Sequence, residues 1–197
     1  MGENKQHWET VYETKTPEQV SWTQETPQTS LDFIQSFGLS KSAKIIDVGG
    51  GDSNLVDCLI EKGYDNITVL DISGKAIERA KKRLGDKSNK ITWIESDITQ
   101  FVPETSYDIW HDRATFHFLI DNKQINTYKT LVNNHVSGFM CIGTFSNNGP
   151  LRCSGLEISQ YTSDSLLDNF NESFELTKSI IEDHKTPFDT FQNFVFC

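Results

Sequence analysis

The feature that most constrains the fold of this chain is an apolar run that ends in three consecutive glycines, within residues 44–53 (KIIDVGGGDS). Because glycine has no Cβ and adopts positive φ, backbone N–H groups in such a turn can approach a ligand closely. A strand, a glycine-rich turn and a helix in this order are typical of a nucleotide-cofactor site. The segment therefore predicts an α/β sheet with a cofactor-binding turn after its first strand.

A second acidic strand end supports this interpretation. The apolar run 67–71 ends in Asp71, about 20 residues beyond the glycines, where a carboxylate can accept hydrogen bonds from both hydroxyls of a ribose. The alternative is that the glycines form only a tight turn and that Asp71 only caps the next helix. The turn, the acid and the alternation of apolar with amphipathic segments together favour the cofactor site.

The residues around the glycines distinguish between two classes of cofactor. A dinucleotide fingerprint, G-x-G-x-x-G, brings a pyrophosphate to a helix N-terminus, whereas Gly49, Gly50 and Gly51 are followed here by Asp52. That carboxylate would repel a pyrophosphate. Asp47, in the strand before the turn, can instead pair with a cationic ligand group such as the amino group of a methionine moiety. A nicotinamide dehydrogenase is therefore disfavoured.

The Asp-Val-Gly-Gly-Gly segment together with Asp71 resembles the class I S-adenosylmethionine-dependent methyltransferases, and the resemblance extends over nearly the whole chain. It implies that S-adenosylmethionine is the cofactor, with Asp47 and the three glycines at its methionine end and Asp71 on its ribose. It also implies that Asp97 bonds the adenine amino group, while Ile98 and Ile72 cover the two faces of the ring. The alternative for Asp97 is a solvated loop acid beside a core isoleucine.

The expected fold is a Rossmann-like three-layer α/β sandwich, whose mostly parallel seven-stranded sheet has one antiparallel strand near the C-terminus. Strands are predicted at 44–48, 67–71, 91–95, 107–111, 138–145, 174–181 and 190–197, and helices at 54–62, 74–84, 123–135 and 163–169. The last two strands follow each other too closely for a crossover helix, so they should form a hairpin. Residues 1–197 are expected to form one domain, with a helical cap at 1–43 and the catalytic core at 44–197.

The net charge and the spacing of the cysteines indicate which partners and which cellular compartment to expect. A net charge of −10 argues against nucleic acid as a partner, because phosphate contacts need clustered Lys and Arg. The four cysteines are widely spaced and include no C-x-x-C pair, which indicates a reduced protein without a disulfide framework or a zinc site. No apolar run approaches membrane-spanning length, so we expect a cytoplasmic protein that does not associate with membranes.

The most unusual local sequence is residues 109–118 (IWHDRATFHF), which begin at the carboxyl end of the fourth predicted strand. Ligands of open α/β sheets bind outside such strand ends, so we expect His111, Asp112 and Arg113 to face the methyl-transfer site, with His111 also contacting the cofactor. The segment resembles the Asp-Lys-Gly-Thr segment of enzymes that methylate lysines of translation elongation factor. Here Arg113 and Ala114 replace its lysine and glycine.

Methyl transfer is an in-line displacement at a sulfonium carbon, so a base helps only when the nucleophile carries a proton. His111 or His117 are the candidate bases, because an unperturbed imidazole titrates near neutral pH. For His117 a packed structural histidine is an equal alternative. For Arg113 the alternative is an ion pair with a nearby carboxylate of the protein.

Four further residues are candidates for binding the methyl acceptor. Arg152 can hold an anionic substrate and Cys153 can contact a soft one, although Cys153 is also explained as a small loop residue. Tyr12 and Trp22 can close the pocket over the sulfonium, or simply pack within the cap. The leading hypothesis is a methyltransferase for a small molecule. The alternatives are a protein lysine methyltransferase and a non-catalytic S-adenosylmethionine-binding protein.

Overall fold

A computed structural model describes residues 2–197. The strands are β1 (Ile45–Val48), β2 (Ile67–Asp71), β3 (Ile91–Glu95), β4 (Tyr107–Arg113), β5 (Val136–Phe145), β6 (Arg152–Cys153), β7 (Leu156–Glu157), β8 (Ile180–Lys185) and β9 (Phe191–Phe196). The α-helices are α1 (Glu3–Thr14), α2 (Gln28–Ser36), α3 (Leu55–Glu61), α4 (Gly74–Leu84), α5 (Asn122–His135) and α6 (Ser163–Phe170).

Seven strands form one sheet in the order β3-β2-β1-β4-β5-β9-β8, and β6 pairs with β7 in a separate hairpin. Strand β9 runs antiparallel to both of its neighbours, β5 and β8, while the first five strands are parallel. The predicted fold class, with its single reversed strand and C-terminal hairpin, is confirmed. Because β2 and β4 lie on opposite sides of β1, a crevice opens at the carboxyl ends of β1 and β4.

The central strands are apolar because both faces of the sheet are covered. Every residue of β1 and β2 is buried. Side chains alternate between the faces, so Ile45 joins a core cluster with Leu31 of α2 and Leu55 of α3, whereas Ile46 joins a second cluster with Tyr128 of α5. The sheet therefore lies between two helical layers, and its carboxyl edge is held by packing on both sides.

Several strand boundaries differ from the predicted ones, and two of the differences matter for the site and the sheet edge. Strand β4 continues to Arg113, since it stays paired with β5 through Gly143, so Asp112 and Arg113, which were predicted to follow the strand, are strand residues. Strand β8 begins only at Ile180, opposite Phe196, rather than at residue 174. The hairpin turn before β9 sets this register, while Phe174 packs against the core before the strand begins. The β6–β7 hairpin was not predicted.

The two helices of the cap are held differently. Helix α2 packs Leu31, Phe33 and Ile34 into the core, whereas helix α1 buries only Val11 and is held mainly by polar contacts. The Glu9 carboxylate accepts hydrogen bonds from the backbone N–H groups of Gly74 (2.8 Å) and Lys75 (3.3 Å), which satisfies two free donors at the start of α4. Glu13 forms an ion pair with the Lys75 side chain at 2.7 Å. None of the helices within residues 2–197 has the length and apolarity needed to cross a membrane.

A buried hydrogen-bond chain joins β4 to α5. Trp110 Nε1 donates to Tyr128 Oη at 2.9 Å, and Tyr128 Oη donates to Asp112 Oδ2 at 2.7 Å. We predict that Tyr128→Phe lowers the free energy of unfolding by about 2–4 kcal/mol, because it leaves a buried indole donor and a buried carboxylate short of a partner. Denaturant titration measures this change.

Tyr64→Phe is the matched control for that measurement. Tyr64 is also buried, but its hydroxyl makes no hydrogen bond to any residue in the described part of the chain. Its removal should change the free energy of unfolding by less than about 1 kcal/mol. Equal destabilisation by the two variants would contradict the importance of the Trp110–Tyr128–Asp112 chain.

Candidate active site

Two adjacent cavities lie at the carboxyl ends of β1, β2 and β4. The first, of about 890 Å³ including open solvent, extends along the ends of β2 and β3. The second, of about 1130 Å³ on the same measure, extends along the glycine turn and the start of α3. The residues that line both cavities, and so mark their junction, are Tyr12, Trp22, Gly49 and Arg113.

The glycine turn lets two carboxylates approach the backbone more closely than a side chain would permit. A Cβ on Gly50 would lie 2.3 Å from Asp47 Oδ2, and a Cβ on Gly51 would lie 2.4 Å from Asp71 Oδ2. Gly49 has φ +69°, and its added Cβ would collide with a threonine hydroxyl of the turn after β4. The three glycines are therefore required by the local structure, whatever ligand is bound.

Asp47 is held by a histidine rather than by a cation of the protein. Asp47 Oδ1 lies 2.7 Å from His111 Nδ1, and His111 Nε2 lies 2.8 Å from Ser30 Oγ. All three side chains are buried and line the second cavity. Both imidazole nitrogens are engaged, so neither is free to take a proton from a ligand in this arrangement. Asp47 Oδ2 is buried and has no hydrogen-bond partner within residues 2–197.

The first cavity contains the residues that the sequence assigns to the adenosine. Asp71 lines it from the end of β2, where its Oδ1 accepts a hydrogen bond from Ser73 N at 2.8 Å. Burial raises the pKa of Asp71 to about 7, and nearby Asp47 and Glu9 act in the same direction. Asp97 lines the cavity as well, and its Oδ1 accepts hydrogen bonds from the backbone N–H and the hydroxyl of Thr99, each at 2.8 Å. The remaining adenine-site residues on this cavity are Ile72 and Ile98.

Asp112 does not face the cavities as expected. Because β4 continues beyond it, Asp112 points to the opposite face of the sheet from His111 and Arg113. Its carboxylate accepts hydrogen bonds from the backbone N–H groups of Thr115 (2.9 Å) and Phe116 (3.2 Å), as well as from Tyr128. Burial raises its pKa to about 6. Asp112 therefore fixes the turn after β4 and lines neither cavity.

Arg113 carries its charge at the junction of the cavities. Its Nη1 donates to the Trp22 carbonyl at 3.1 Å, and its guanidinium carbon lies 4.7 Å from the centre of the Phe194 ring. Burial lowers its pKa to about 10, so the side chain stays protonated at neutral pH. The expected alternative, an ion pair with a protein carboxylate, is absent from residues 2–197.

His117 lies in the interior, behind the first cavity. It is completely buried, its Nδ1 accepts a hydrogen bond from Phe145 N at 3.3 Å, and its ring packs against those of Phe118 and Phe145. Burial lowers its pKa to about 3, and the charge of Arg113 acts in the same direction. A neutral imidazole that lines neither cavity fits the structural alternative rather than a general base.

The candidate acceptor residues are separated by the structure. Tyr12, Trp22 and Cys153 line the first cavity, and burial raises the pKa of the Cys153 thiol to about 12. Arg152 is exposed on β6, where it pairs with Glu157 at 3.2 Å, and it lines neither cavity.

Sequence reasoning missed several residues of the cavities. The Trp8 ring lies edge-on to the rings of Trp22 (5.7 Å between centroids) and Phe118 (5.3 Å), and both Trp8 and Phe118 line the first cavity. The aromatic content of the cap and of residues 109–118 was the available signal for these two. For Ser30, which is hydrogen-bonded to His111, the sequence contained no signal, because a serine within a cap helix is common.

The sequence matches a known family. The profile of a family described as "Methyltransferase domain" matches residues 45–135, which run from β1 to the end of α5. This range contains the glycine turn, Asp71, Asp97 and the strand that carries His111 and Arg113. The region that forms the cofactor side of both cavities is therefore the region that defines the family.

Curated relatives with this domain are methyltransferases of several kinds. Malonyl-(acyl-carrier protein) O-methyltransferase 1 of Ilyobacter polytropus is 33% identical over 113 residues, which are 56% of this chain and 41% of that protein. The eEF1A lysine and N-terminal methyltransferase of Bos taurus is 28% identical over 85 residues, 43% of this chain and 12% of that protein. EEF1A lysine methyltransferase 2 of Mus musculus is 23% identical over 193 residues, 89% of this chain and 73% of that protein. The chain thus spans less than half the length of the first two relatives.

Solved structures share the whole architecture at low sequence identity. A SAM-dependent methyltransferase from Anabaena variabilis has a TM-score of 0.75 and 15% identity, over 98% of this chain and 90% of that one. The 1,6-didemethyltoxoflavin-N1-methyltransferase of Burkholderia thailandensis has a TM-score of 0.71 and 15% identity, over 98% and 85%. The fold is that of a Rossmann-like cofactor-binding domain. The sequence profile of residues 45–135 and the fold together support a class I S-adenosylmethionine-dependent methyltransferase, a class whose cofactor is S-adenosylmethionine.

The raised pKa of Asp71 gives a prediction for cofactor binding. An ionised carboxylate accepts hydrogen bonds from ribose hydroxyls, whereas a protonated one has less acceptor capacity. Since Asp71 titrates at about 7, we predict that the affinity for S-adenosylhomocysteine rises as pH increases through 7 and falls below it, by up to about tenfold per pH unit. Calorimetric titration between pH 6 and pH 8 measures the slope.

Asp71→Asn is the control for this pH profile. The amide keeps the shape of the side chain but does not titrate, so the variant should bind more weakly and show a flat profile. An unchanged slope in Asp71→Asn would assign the pH dependence to another group.

Proposed function

We propose that this protein transfers a methyl group from S-adenosylmethionine to a small-molecule acceptor. The observation that carries the proposal is the aromatic lining around the junction of the two cavities. Tyr12 and Trp22 line both cavities, and Trp8 and Phe118 line the first beside them. Aromatic walls suit a small acceptor, because they limit the access of water to the reacting atoms.

The two cavities divide the cofactor between them in this proposal. Asp71 binds the ribose and Asp97 the adenine amino group in the first cavity, with Ile72 and Ile98 against the ring. The aminoacyl end passes Gly49 into the second cavity. There the buried Oδ2 of Asp47, which has no partner in the described chain, accepts a hydrogen bond from the ammonium group.

The residues of the chain contribute binding, orientation and exclusion of water. The bound cofactor supplies an electrophilic methyl group on a sulfonium. His111 and Ser30 fix the orientation of Asp47, and Asp112 fixes the turn that positions the acceptor side of the junction. The aromatic rings attract the sulfonium charge. Both nitrogens of His111 are hydrogen-bonded, and the buried His117 lines neither cavity, so the proposed reaction needs an acceptor that is already a nucleophile.

The names of relatives also support a small acceptor. The malonyl-(acyl-carrier protein) O-methyltransferase is 33% identical to this chain over 113 residues, and its name places the methyl on an oxygen of a malonyl group that acyl-carrier protein holds. The Burkholderia structure contains the small heterocycle 1,6-didemethyltoxoflavin together with S-adenosylhomocysteine.

The role of Asp47 is tested with two ligands that differ at the aminoacyl end. We predict that Asp47→Asn weakens the binding of S-adenosylhomocysteine by about 10- to 100-fold, because a hydrogen bond to a charged partner is lost in a buried site. Binding of 5′-methylthioadenosine, which has no ammonium group, should change less than about threefold. If wild-type protein binds neither S-adenosylhomocysteine nor S-adenosylmethionine by calorimetry, the proposed function fails.

A second candidate is protein lysine methylation. EEF1A lysine methyltransferase 2 aligns with 89% of this chain, and Ala114 has φ +71°, the left-handed conformation that favours the glycine of the resembled Asp-Lys-Gly-Thr segment. Incubation with labelled S-adenosylmethionine and a cell lysate separates the two candidates. Label in protein bands supports lysine methylation, while label in a small-molecule product that is separated from S-adenosylmethionine supports our proposal. Turnover of either kind excludes a purely non-catalytic cofactor-binding protein.

A further inference from the structure

We propose that Arg113 is the anchor for a carboxylate at the junction of the two cavities, so that one of the ligands brought together for methyl transfer carries a carboxylate close to the transferred group. The inference rests on the proposed function for its ligands and adds a chemical requirement to them. It is drawn from the state of one side chain, which is charged, buried and incompletely paired.

The guanidinium of Arg113 has unused donors. Its Nε and Nη2 are buried and have no hydrogen-bond partner within residues 2–197, and only Nη1 donates, to the Trp22 carbonyl. A buried cation without an anionic partner is unfavourable by several kcal/mol in general. The side chain nevertheless stays protonated, since its pKa is about 10. An anion from a ligand would supply the missing partner.

The charges around Arg113 do not provide that anion. Against the lowering effect of burial, two carboxylates, Glu182 of β8 and Asp47, raise the pKa of Arg113, and the effect of Glu182 is the larger. Neither of them forms an ion pair with Arg113. Glu182 Oε1 instead accepts a hydrogen bond from Gln24 Nε2 at 3.3 Å, while its Oε2 is buried without a hydrogen-bond partner in the described chain. The guanidinium also lies against the Phe194 ring. Within residues 2–197, no carboxylate lies within ion-pair distance of this cation.

The position of Arg113 between the two cavities indicates which ligands could carry the anion. Arg113 lines both cavities, together with Tyr12, Trp22 and Gly49. A ligand in the second cavity and an acceptor in the first would each pass this side chain. The planar guanidinium matches the two oxygens of a carboxylate, which makes a carboxylate the favoured anion. Two sources share this chemistry, namely the aminoacyl carboxylate of the cofactor and a carboxylate of the acceptor.

Calorimetry on the full chain separates the sources with matched ligand pairs. The first pair is S-adenosylhomocysteine and S-adenosyl-3-thiopropylamine, which lacks only the carboxylate. The second pair is a small acid and its primary amide, added to protein saturated with S-adenosylhomocysteine. Malonate, succinate and benzoate are each compared with their amides. Each pair is measured for wild type, Arg113→Met, Arg113→Lys and Lys178→Met. Lys178 is a control cation that lies over the Phe33 ring, at 4.4 Å, and lines neither cavity.

We expect wild type to prefer the carboxylate member of at least one pair by about 10- to 100-fold. Arg113→Met should abolish that preference while leaving the affinity for the other member within about threefold. Arg113→Lys, which keeps the charge but not the planar fork, should retain part of the preference, and Lys178→Met should retain all of it. Loss of the preference in the first pair identifies the cofactor as the source, and loss in the second identifies the acceptor.

Three results would overturn the inference. They are a wild-type protein with no preference in either pair, a preference that survives Arg113→Met, and an equal loss of affinity for both members of a pair. Should Arg113→Met fail to fold, shown by its circular dichroism, the comparison of Arg113→Lys with wild type decides instead. Failure of wild type to bind S-adenosylhomocysteine would sink the proposed function, whereas normal binding without any effect of the carboxylate would sink only this inference.

Discussion

The site depends on the close approach of two carboxylates to the glycine turn. Asp47 Oδ2 and Asp71 Oδ2 lie 2.3 Å and 2.4 Å from the positions that Cβ atoms on Gly50 and Gly51 would take. The two acids therefore leave no room for a side chain at either glycine. This packing places two buried acids on neighbouring strands, one on each side of the turn. Burial raises the pKa of Asp71 to about 7, with Asp47 adding to the effect. A cationic ligand relieves that repulsion, which a diphosphate would increase.

Much of the fold was accessible from the sequence because local signals agreed with one another. Helix α4 shows this well, since Ser73 Oγ accepts from Ala76 N at 3.2 Å and Gly85 ends the helix with φ +57°. The edge of the sheet was less predictable. The start of β8 depends on its pairing with β9, and the short β6–β7 hairpin depends on only two residue pairs. Neither depends on a periodicity that the sequence displays.

The same contrast explains what could be predicted of the site. Asp47 and Asp71 lie within apolar strands near their carboxyl ends, and Asp97 follows β3, so their places at the sheet edge could be predicted, and all three line the cavities. The sequence could not predict to which face of the sheet a side chain points beyond the predicted end of a strand. Two additional paired residues in β4 turn Asp112 toward α5, away from the cavities. Long-range packing set that strand length, and packing is not a local signal.

The alternation of side chains along β4 determines which of its polar groups reach the cavities. His111 and Arg113 face the cavities from the same strand, and the buried Asp112 between them holds the next turn through two backbone hydrogen bonds. The strand therefore presents one group that orients an acid and one unpaired cation, while neither imidazole near it is free to remove a proton. A site of this kind accelerates a displacement by positioning ligands of matching charge. Its selectivity then depends on which ligand can neutralise Arg113.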